Sequence, residues 1–251
     1  MNYKSLLTYL ALLPLLTVSV LAQAIDKPTG VDSESFLKAA RKNLLGNCWI
    51  KLDGQINITR DGARVRPMIL KCAAQLIPNK ITFKATIQKS QSFKVEHIFG
   101  KKHDTKILEN TLGKDNGFKQ VGLKPSDLSL AFMYWDFIKE YPNESLGVVN
   151  QFKCRVYLLG NPDGGEYVKV WLSTKFKAPF QVEWYDKNTL KEKKPLQTLV
   201  FDDFAEKNKV WIPLEINVTN KKGTLQVKFD IKKVDAAFSR TVPKDLYKTE
   251  N

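Results

Sequence analysis

Between residues 50 and 59 apolar and polar side chains alternate without a break. Ile50, Leu52, Gly54, Ile56 and Ile58 oppose Lys51, Asp53, Gln55, Asn57 and Thr59. A period of two sends the two sets to opposite faces of a β-strand. Asp61-Gly62 is a hairpin signal, and residues 64–74 return. Pro78-Asn79 turns again, after which Ile81, Phe83, Ala85 and Ile87 alternate with Thr82, Lys84, Thr86 and Gln88. Residues 93–99 make a fourth strand. Turns this short require antiparallel pairing. The second half repeats the pattern at 148–159, 167–173, 179–186, 196–204, 210–219 and 224–234. Residues 167–173 are apolar on both faces, which predicts a central strand.

Two stretches depart from this alternation. Residues 32–45 have helical spacing: Phe36, Leu37, Ala40, Leu44 and Leu45 share a face, and Lys38, Arg41 and Lys42 face water. Asp32 caps the start, Glu34 lies in the first turn, and Gly46-Asn47 ends the helix. Residues 100–122 are weakly patterned and predict two short strands, near 105–109 and 117–121. Beyond Pro125, with Ser126 or Asp127 as cap, Leu128, Phe132, Met133, Trp135 and Phe137 predict a short helix that is apolar on more than one side. Such a helix must be enclosed or must cover an apolar space. In total, about ten or eleven strands in one domain mean a sandwich, a barrel or a strongly curved sheet.

The N-terminus adds a compartment. Lys4 precedes an apolar run from Leu6 to Ala22, and Ala22-Gln23-Ala24 fits a small-x-small cleavage site. Residues 1–24 are read as an export signal and 25–31 as a tether, leaving 32–251 as one domain. A membrane anchor is the rival reading, which Pro14, Thr17 and the short run weaken. Three cysteines, Cys48, Cys72 and Cys154, sit beside apolar neighbours in strand-like runs. They are read either as three buried thiols or as a Cys48–Cys72 bridge with one thiol over.

The formal charge of +14 comes from 40 Lys and Arg against 26 Asp and Glu, with lysine spread along the chain. Lys51, Lys84, Lys169, Lys228 and Lys232 fall at the solvent-facing alternate positions. This describes a solvated exterior that also suits contact with an anionic membrane surface. Lys101-Lys102 and the cluster at 191–194 are too short for a nucleic-acid arm. Two histidines are present: His97 shares a side with Val95 and Phe99 and reads as a hydrogen-bonded interior residue, and His103 lies in a basic loop. No phosphate loop, nucleophile elbow or histidine pair is found, so neither an enzyme nor a cofactor is predicted.

Several segments, in order, resemble the LolA-like superfamily of outer-membrane lipoprotein-sorting proteins. They are Leu128-Ser129-Leu130-Ala131-Phe132 with Trp135, Tyr167-Val168-Lys169-Val170-Trp171-Leu172, Gln181-Val182-Glu183-Trp184-Tyr185-Asp186, Thr198-Leu199-Val200-Phe201-Asp202-Asp203-Phe204 and Trp211-Ile212-Pro213-Leu214-Glu215. The likeness spans residues 45–247. It implies a mainly β fold, an incompletely closed antiparallel β-barrel with an N-terminal helix and a short helical lid over the concave face. It further implies a periplasmic carrier of lipid or lipoprotein acyl chains that meets membrane-bound donor or acceptor proteins in a Gram-negative-type envelope. The N-x-S/T triplets at Asn57, Asn143 and Asn217 are then coincidental.

A sixteen-carbon chain gains roughly 12 kcal/mol on leaving water, at about 0.8 per methylene. A carrier must match a bilayer's apolarity without exceeding it, or cargo never leaves. The candidate lipid-binding residues are Leu128, Phe132, Met133 and Trp135 from the lid, with Ile56, Phe83, Trp171, Trp184 and Phe229 from the sheet. Against this stands a solid core made of the same residues. The alternative function is an exported β-sandwich that binds acidic glycan or the cell-envelope surface through exposed Trp49, Tyr185 and Trp211. The direction the tryptophans face separates the two.

Overall fold

The computed structural model describes residues 32–44, 46–88, 91–100, 103–111, 125–142, 144, 147–149, 151–239 and 241–248. The export signal and tether expected at 1–31, and the strand expected at 117–121, lie outside the described residues. Asp32–Asn251 is one compact unit.

Helix α1 (Ser33–Leu44) begins where Asp32 accepts hydrogen bonds from the Ser35 backbone N–H (2.8 Å) and hydroxyl (2.6 Å). Those bonds hold the Asp32 carboxyl below its ordinary pKa. Phe36, Leu37 and Ala40 are buried. Thirteen strands follow among the described residues: β1 (Cys48–Arg60), β2 (Ala63–Ile77), β3 (Lys80–Ile87), β4 (Gln91–Ile98), β5 (Asp104–Asn110), β6 (Asp136–Glu140), β7 (Gly147–Val149), β8 (Phe152–Gly160), β9 (Glu166–Ser173), β10 (Pro179–Asp186), β11 (Gln197–Lys207), β12 (Val210–Asn220) and β13 (Leu225–Phe238). Helix α2 (Lys187–Glu192) joins β10 to β11.

All thirteen form one antiparallel sheet in the order β5-β4-β3-β2-β1-β13-β12-β11-β10-β9-β8-β6, with β7 also on β8. Each neighbour along this path is a sequence neighbour except where β8 meets β6 and where β1 meets β13. That pairing joins the first strand to the last from Cys48↔Phe238 to Arg60↔Leu225. Among the described residues the outermost strands are therefore β5 on one side and β6 with β7 on the other, and the barrel is incompletely closed. A bulge at Asp53/Gly54 bends β1 against β13. A Cβ at Gly54 would lie 2.5 Å from the Asp230 carbonyl oxygen, so this close approach requires glycine.

Several elements differ from the sequence expectation. The strand count is higher because β6 lies in a stretch read as the end of an apolar helix. The segment expected at 148–159 also divides, with Gln151 at φ 68° between β7 and β8. Helix α2 has no apolar period to announce it; Asp186 builds it by accepting from the Asn188 and Thr189 N–H groups at 2.9 and 2.7 Å. The expected lid helix is two short 3-10 turns, Pro125–Ser129 and Ala131–Tyr134. Leu130 between them is left-handed at φ 57°, which no continuous helix of L-residues tolerates.

The three cysteines are free and buried. Cys48 lies opposite Leu76, and Cys72 opposite Leu52, so the register keeps the two thiols on different rungs and removes the bridge reading. Burial raises Cys48 to about 11 and Cys72 to about 12.

A buried ion pair fixes one edge. Arg155 on β8 donates through Nε to Glu140 Oε1 (2.8 Å) and through Nη2 to Oε2 (2.6 Å) on β6, with the two side chains 5% and 7% exposed. The guanidinium also lies 4.7 Å from the Phe36 ring centroid, and Ser33 Oγ donates to Glu140. Helix α1 and the edge strand thus share one charged contact. Arg155→Ala leaves the Glu140 carboxylate buried without its partner and is expected to cost about 3–5 kcal/mol in urea unfolding. A loss below about 1 kcal/mol would show that the pair is solvated.

Candidate functional site

The concave face divides into a packed end and a hollow end. Toward the β1–β2 and β12–β13 turns, Ile56, Ile58, Leu70, Ile87, Val227 and Phe229 are at most 2% exposed and fill the interior. Toward the opposite end, inward residues of the same strands are only half-buried: Ile50 and Leu52 on β1, and Ala74 on β2. The register explains the difference. Ala74 lies opposite both Ile50 and Phe83, and Cys72 opposite both Leu52 and Ala85. Small side chains stand there on the oily face of the middle strand, so the interior is not filled.

The resulting cavity has a volume of about 490 Å³, within the roughly 300–1,000 Å³ typical of ligand sites. Its sheet walls are Cys48, Ile50 and Leu52 on β1, Cys72, Ala74 and Leu76 on β2, and Ile81 and Phe83 on β3. The far wall is Phe201 on β11, Val210, Ile212 and Ile216 on β12, and Phe238 on β13. Leu128 and Ser129 of the first 3-10 turn and Leu130 after it cover it, with Lys42 near the end of α1 and Gly46 beyond it. The lining is overwhelmingly apolar, and its charged members, Lys42 and Lys209, are exposed.

The cover is anchored through its backbone. Arg41 donates from Nε to the Met133 carbonyl (2.7 Å) and from Nη2 to the Trp135 carbonyl (2.5 Å). Tyr134 Oη returns a bond to the Arg41 carbonyl (2.9 Å). Helical spacing had placed Arg41 in water; its side chain instead satisfies carbonyls that a 3-10 turn leaves unpaired. A second anchor is His97 on β4, which shares hydrogen bonds with Ser129 Oγ and Thr105 Oγ1, both at 3.1 Å. His97 is therefore an interior, hydrogen-bonded residue, and desolvation lowers its pKa to about 4.

Of the nine candidates from the sequence, Leu128 and Phe83 line the large cavity. Phe132, Trp135 and Trp184 line a separate polar cleft of about 270 Å³, with Phe132 and Trp184 edge-to-face at 5.3 Å. Met133, Ile56 and Phe229 are wholly buried in the packed core. Trp171 sits one residue out of phase with inward Val170 and Leu172, and Lys169 Nζ lies 4.9 Å from its ring. The large cavity is instead made where side chains on the apolar face of β2 are small. The signal that could have found it is Cys72 and Ala74 on the apolar face of β2.

The polar cleft carries His97, His103, Asp104, Asp127, Asp163 and Glu166. Among the described residues, no three His, Cys, Asp or Glu side chains are grouped to hold a metal ion. Of the five tryptophans, Trp211 alone is exposed, at 49%.

With this geometry in place, the fold matches solved bacterial structures. A DUF1329 family protein from Desulfovibrio piger superposes with TM-score 0.60 at 9% identity, over 85% of this chain and 94% of that one. A putative outer membrane lipoprotein-sorting protein domain from Vibrio parahaemolyticus gives 0.57 at 14% identity, over 86% and 98%. A LolA superfamily protein from Nitrosomonas europaea gives 0.53 at 14%, over 88% and 99%. No family model and no curated protein matches the sequence. The chain thus has the fold of the LolA superfamily and of lipoprotein-sorting domains, at identities that establish fold alone.

Two outcomes check the anchors. Arg41→Met strands the Met133 and Trp135 carbonyls, and amide exchange across residues 131–135 is expected to quicken by about 10- to 100-fold, equivalent to roughly 1–3 kcal/mol. Unchanged exchange would mean that the cover is held elsewhere. For His97 the folded pKa of about 4 lies below the unfolded value near 6.5, so the unfolded chain binds the proton first. The stability present above pH 6.5 is lost as pH falls toward 4, by about 3 kcal/mol. In His97→Gln, unfolding free energy against pH should lose that slope between pH 6.5 and 4; a parallel profile in the variant sinks the assignment.

Proposed function

We propose that this protein is a periplasmic carrier that takes lipid or lipoprotein acyl chains into the apolar cavity between the curved sheet and its 3-10 cover. The observation that carries the reading is the hollow itself. Open toward solvent at one end, it leaves Ile50, Leu52 and Ala74 half-buried on a face that elsewhere packs solid, apolar surface whose covering by an acyl chain is favourable at about 25 cal/mol per Å². A sequence selected only to fold would place larger residues at Ala74 and Cys72. A site that must admit and release an acyl chain keeps them small. The anchored cover over this space, and the shared fold of a lipoprotein-sorting domain, support the same reading. The glycan-binding alternative needed a row of exposed tryptophans on a sandwich. The single curved sheet and the burial of Trp49 and Trp184 do not favour it.

The native protein, extracted with organic solvent and examined by mass spectrometry, is expected to yield stoichiometric lipid or lipoprotein. A fluorescent fatty-acyl probe should lose about 100-fold or more in affinity for Phe83→Asp or Leu128→Asp, since a buried carboxylate must be desolvated in the occupied site. Ala74→Phe should exclude the probe by filling the space while leaving thermal unfolding intact. An empty extract together with unaltered probe binding in all three variants rules the carrier out.

A further inference from the structure

The cavity opens at one end of the barrel, and its rim brings lysines and half-exposed aromatic side chains together. Several lysines on strands have carboxylate partners: Lys80 with Glu96 and Lys84 with Glu109 at 3.1 Å, Lys51 with Asp245 at 3.4 Å, Lys228 with Glu215 and Lys169 with Glu144. A cluster of lysines without such pairs lies at the mouth. Lys175 and Lys177 lie in the β9–β10 turn, Lys207 and Lys209 flank the β11–β12 turn, and Lys42 ends α1. None of the five has an ion-pair partner among the described residues. The acidic side chains nearest in sequence, Asp203 and Glu206, are both exposed on β11.

Aromatic side chains interleave with these charges. Trp211 and Phe238 line the cavity yet are each 49% exposed. Phe176 also lines it, 5.4 Å from the Trp211 ring and 5.0 Å from Lys175 Nζ. Asn208 donates to the Ala236 carbonyl (2.8 Å), which ties the β11–β12 turn to the end of β13 and sets Lys207, Lys209 and Phe238 side by side. Large half-exposed aromatics beside unpaired lysines form the side-chain mixture that settles at a membrane interface, with rings at headgroup depth and ammonium groups on phosphates.

We propose that this rim docks the cavity mouth directly on an anionic phospholipid surface. Charge complementarity supplies one reason. Continuity with the cavity supplies the other: a mouth seated on headgroups lets an acyl chain pass from bilayer to hollow without crossing water. The purpose of docking rests on the carrier reading; the docking itself does not. An acidic protein surface would meet the lysines but would leave Trp211 and Phe238 without an apolar counterpart.

The test uses the chain from Ile25, which contains the whole compact unit, sedimented with phosphatidylcholine vesicles with and without phosphatidylglycerol. Binding is expected only with phosphatidylglycerol and is expected to weaken with salt. Each lysine near such a surface contributes about five-fold, so Lys175→Gln/Lys177→Gln/Lys207→Gln should weaken binding by about 100-fold. Lys221→Gln/Lys222→Gln/Lys228→Gln, toward the other end of the barrel, should change it by less than about five-fold. Trp211 fluorescence should be quenched by brominated lipid, and Trp211→Phe should remove that quenching. The proposal is overturned if the wild type ignores anionic vesicles, if both triple variants weaken equally, or if the rim lysines matter only for cross-linking to an acidic envelope protein. Vesicle binding with no acyl-probe binding would sink the carrier and leave the docking surface standing; probe binding without vesicle binding would do the reverse.

Discussion

The antiparallel pairing of β1 with β13 governs the architecture. It joins the two halves of the chain into one continuous meander and leaves β5 on one side and β6 with β7 on the other as the outermost strands among the described residues. A sheet of this width curls under its own twist, reinforced by the bulge at Gly54. Its inner face is then enclosed on three sides, and the gap between these outermost strands is where the cover enters. The edges themselves are blunted by charge: Asp104, Lys106 and Glu109 on β5, and Lys139 and Glu140 on β6.

How that inner face is occupied separates a hollow from a core. Across three adjacent strands the rungs holding Ile56 or Phe229 bring large residues together and pack solid. The rungs holding Ile50–Ala74–Phe83 and Leu52–Cys72–Ala85 each place a small residue on the middle strand. One sheet therefore supports both a rigid end and an accommodating end. The rigid end keeps the strands in register, so the other end can remain unfilled without collapse. The 3-10 cover is held by hydrogen bonds from Arg41 and His97 to its backbone and Ser129 rather than by apolar packing alone. Directional contacts of this kind define a closed position more sharply than dispersion does.

Charge follows the same division. Lys80 and Lys228 find the carboxylates of Glu96 and Glu215 on neighbouring antiparallel strands, where side chains on one face meet in pairs. Turn lysines at the mouth have no facing strand and remain unpaired. Lysines at the end where the cavity opens thus stand beside the exposed aromatics Trp211 and Phe238.

Much of the fold was legible in the residue pattern, since period-two alternation and short turns are local properties. Helix α1, the antiparallel meander and the solvent-facing lysines follow from it directly. Beyond local reach were β6 and α2, one concealed in an apolar stretch and the other set by the Asp186 cap. The bend at Leu130 was also hidden, because its left-handed backbone has no residue signature. The site was less legible than the fold. Apolar character marks a residue as inward, but whether an inward residue meets a partner or a void depends on what stands opposite it, two strands away. Register alone decides that. It separated buried Cys48 from Cys72 and placed Ala74 between Ile50 and Phe83, where a hollow could remain.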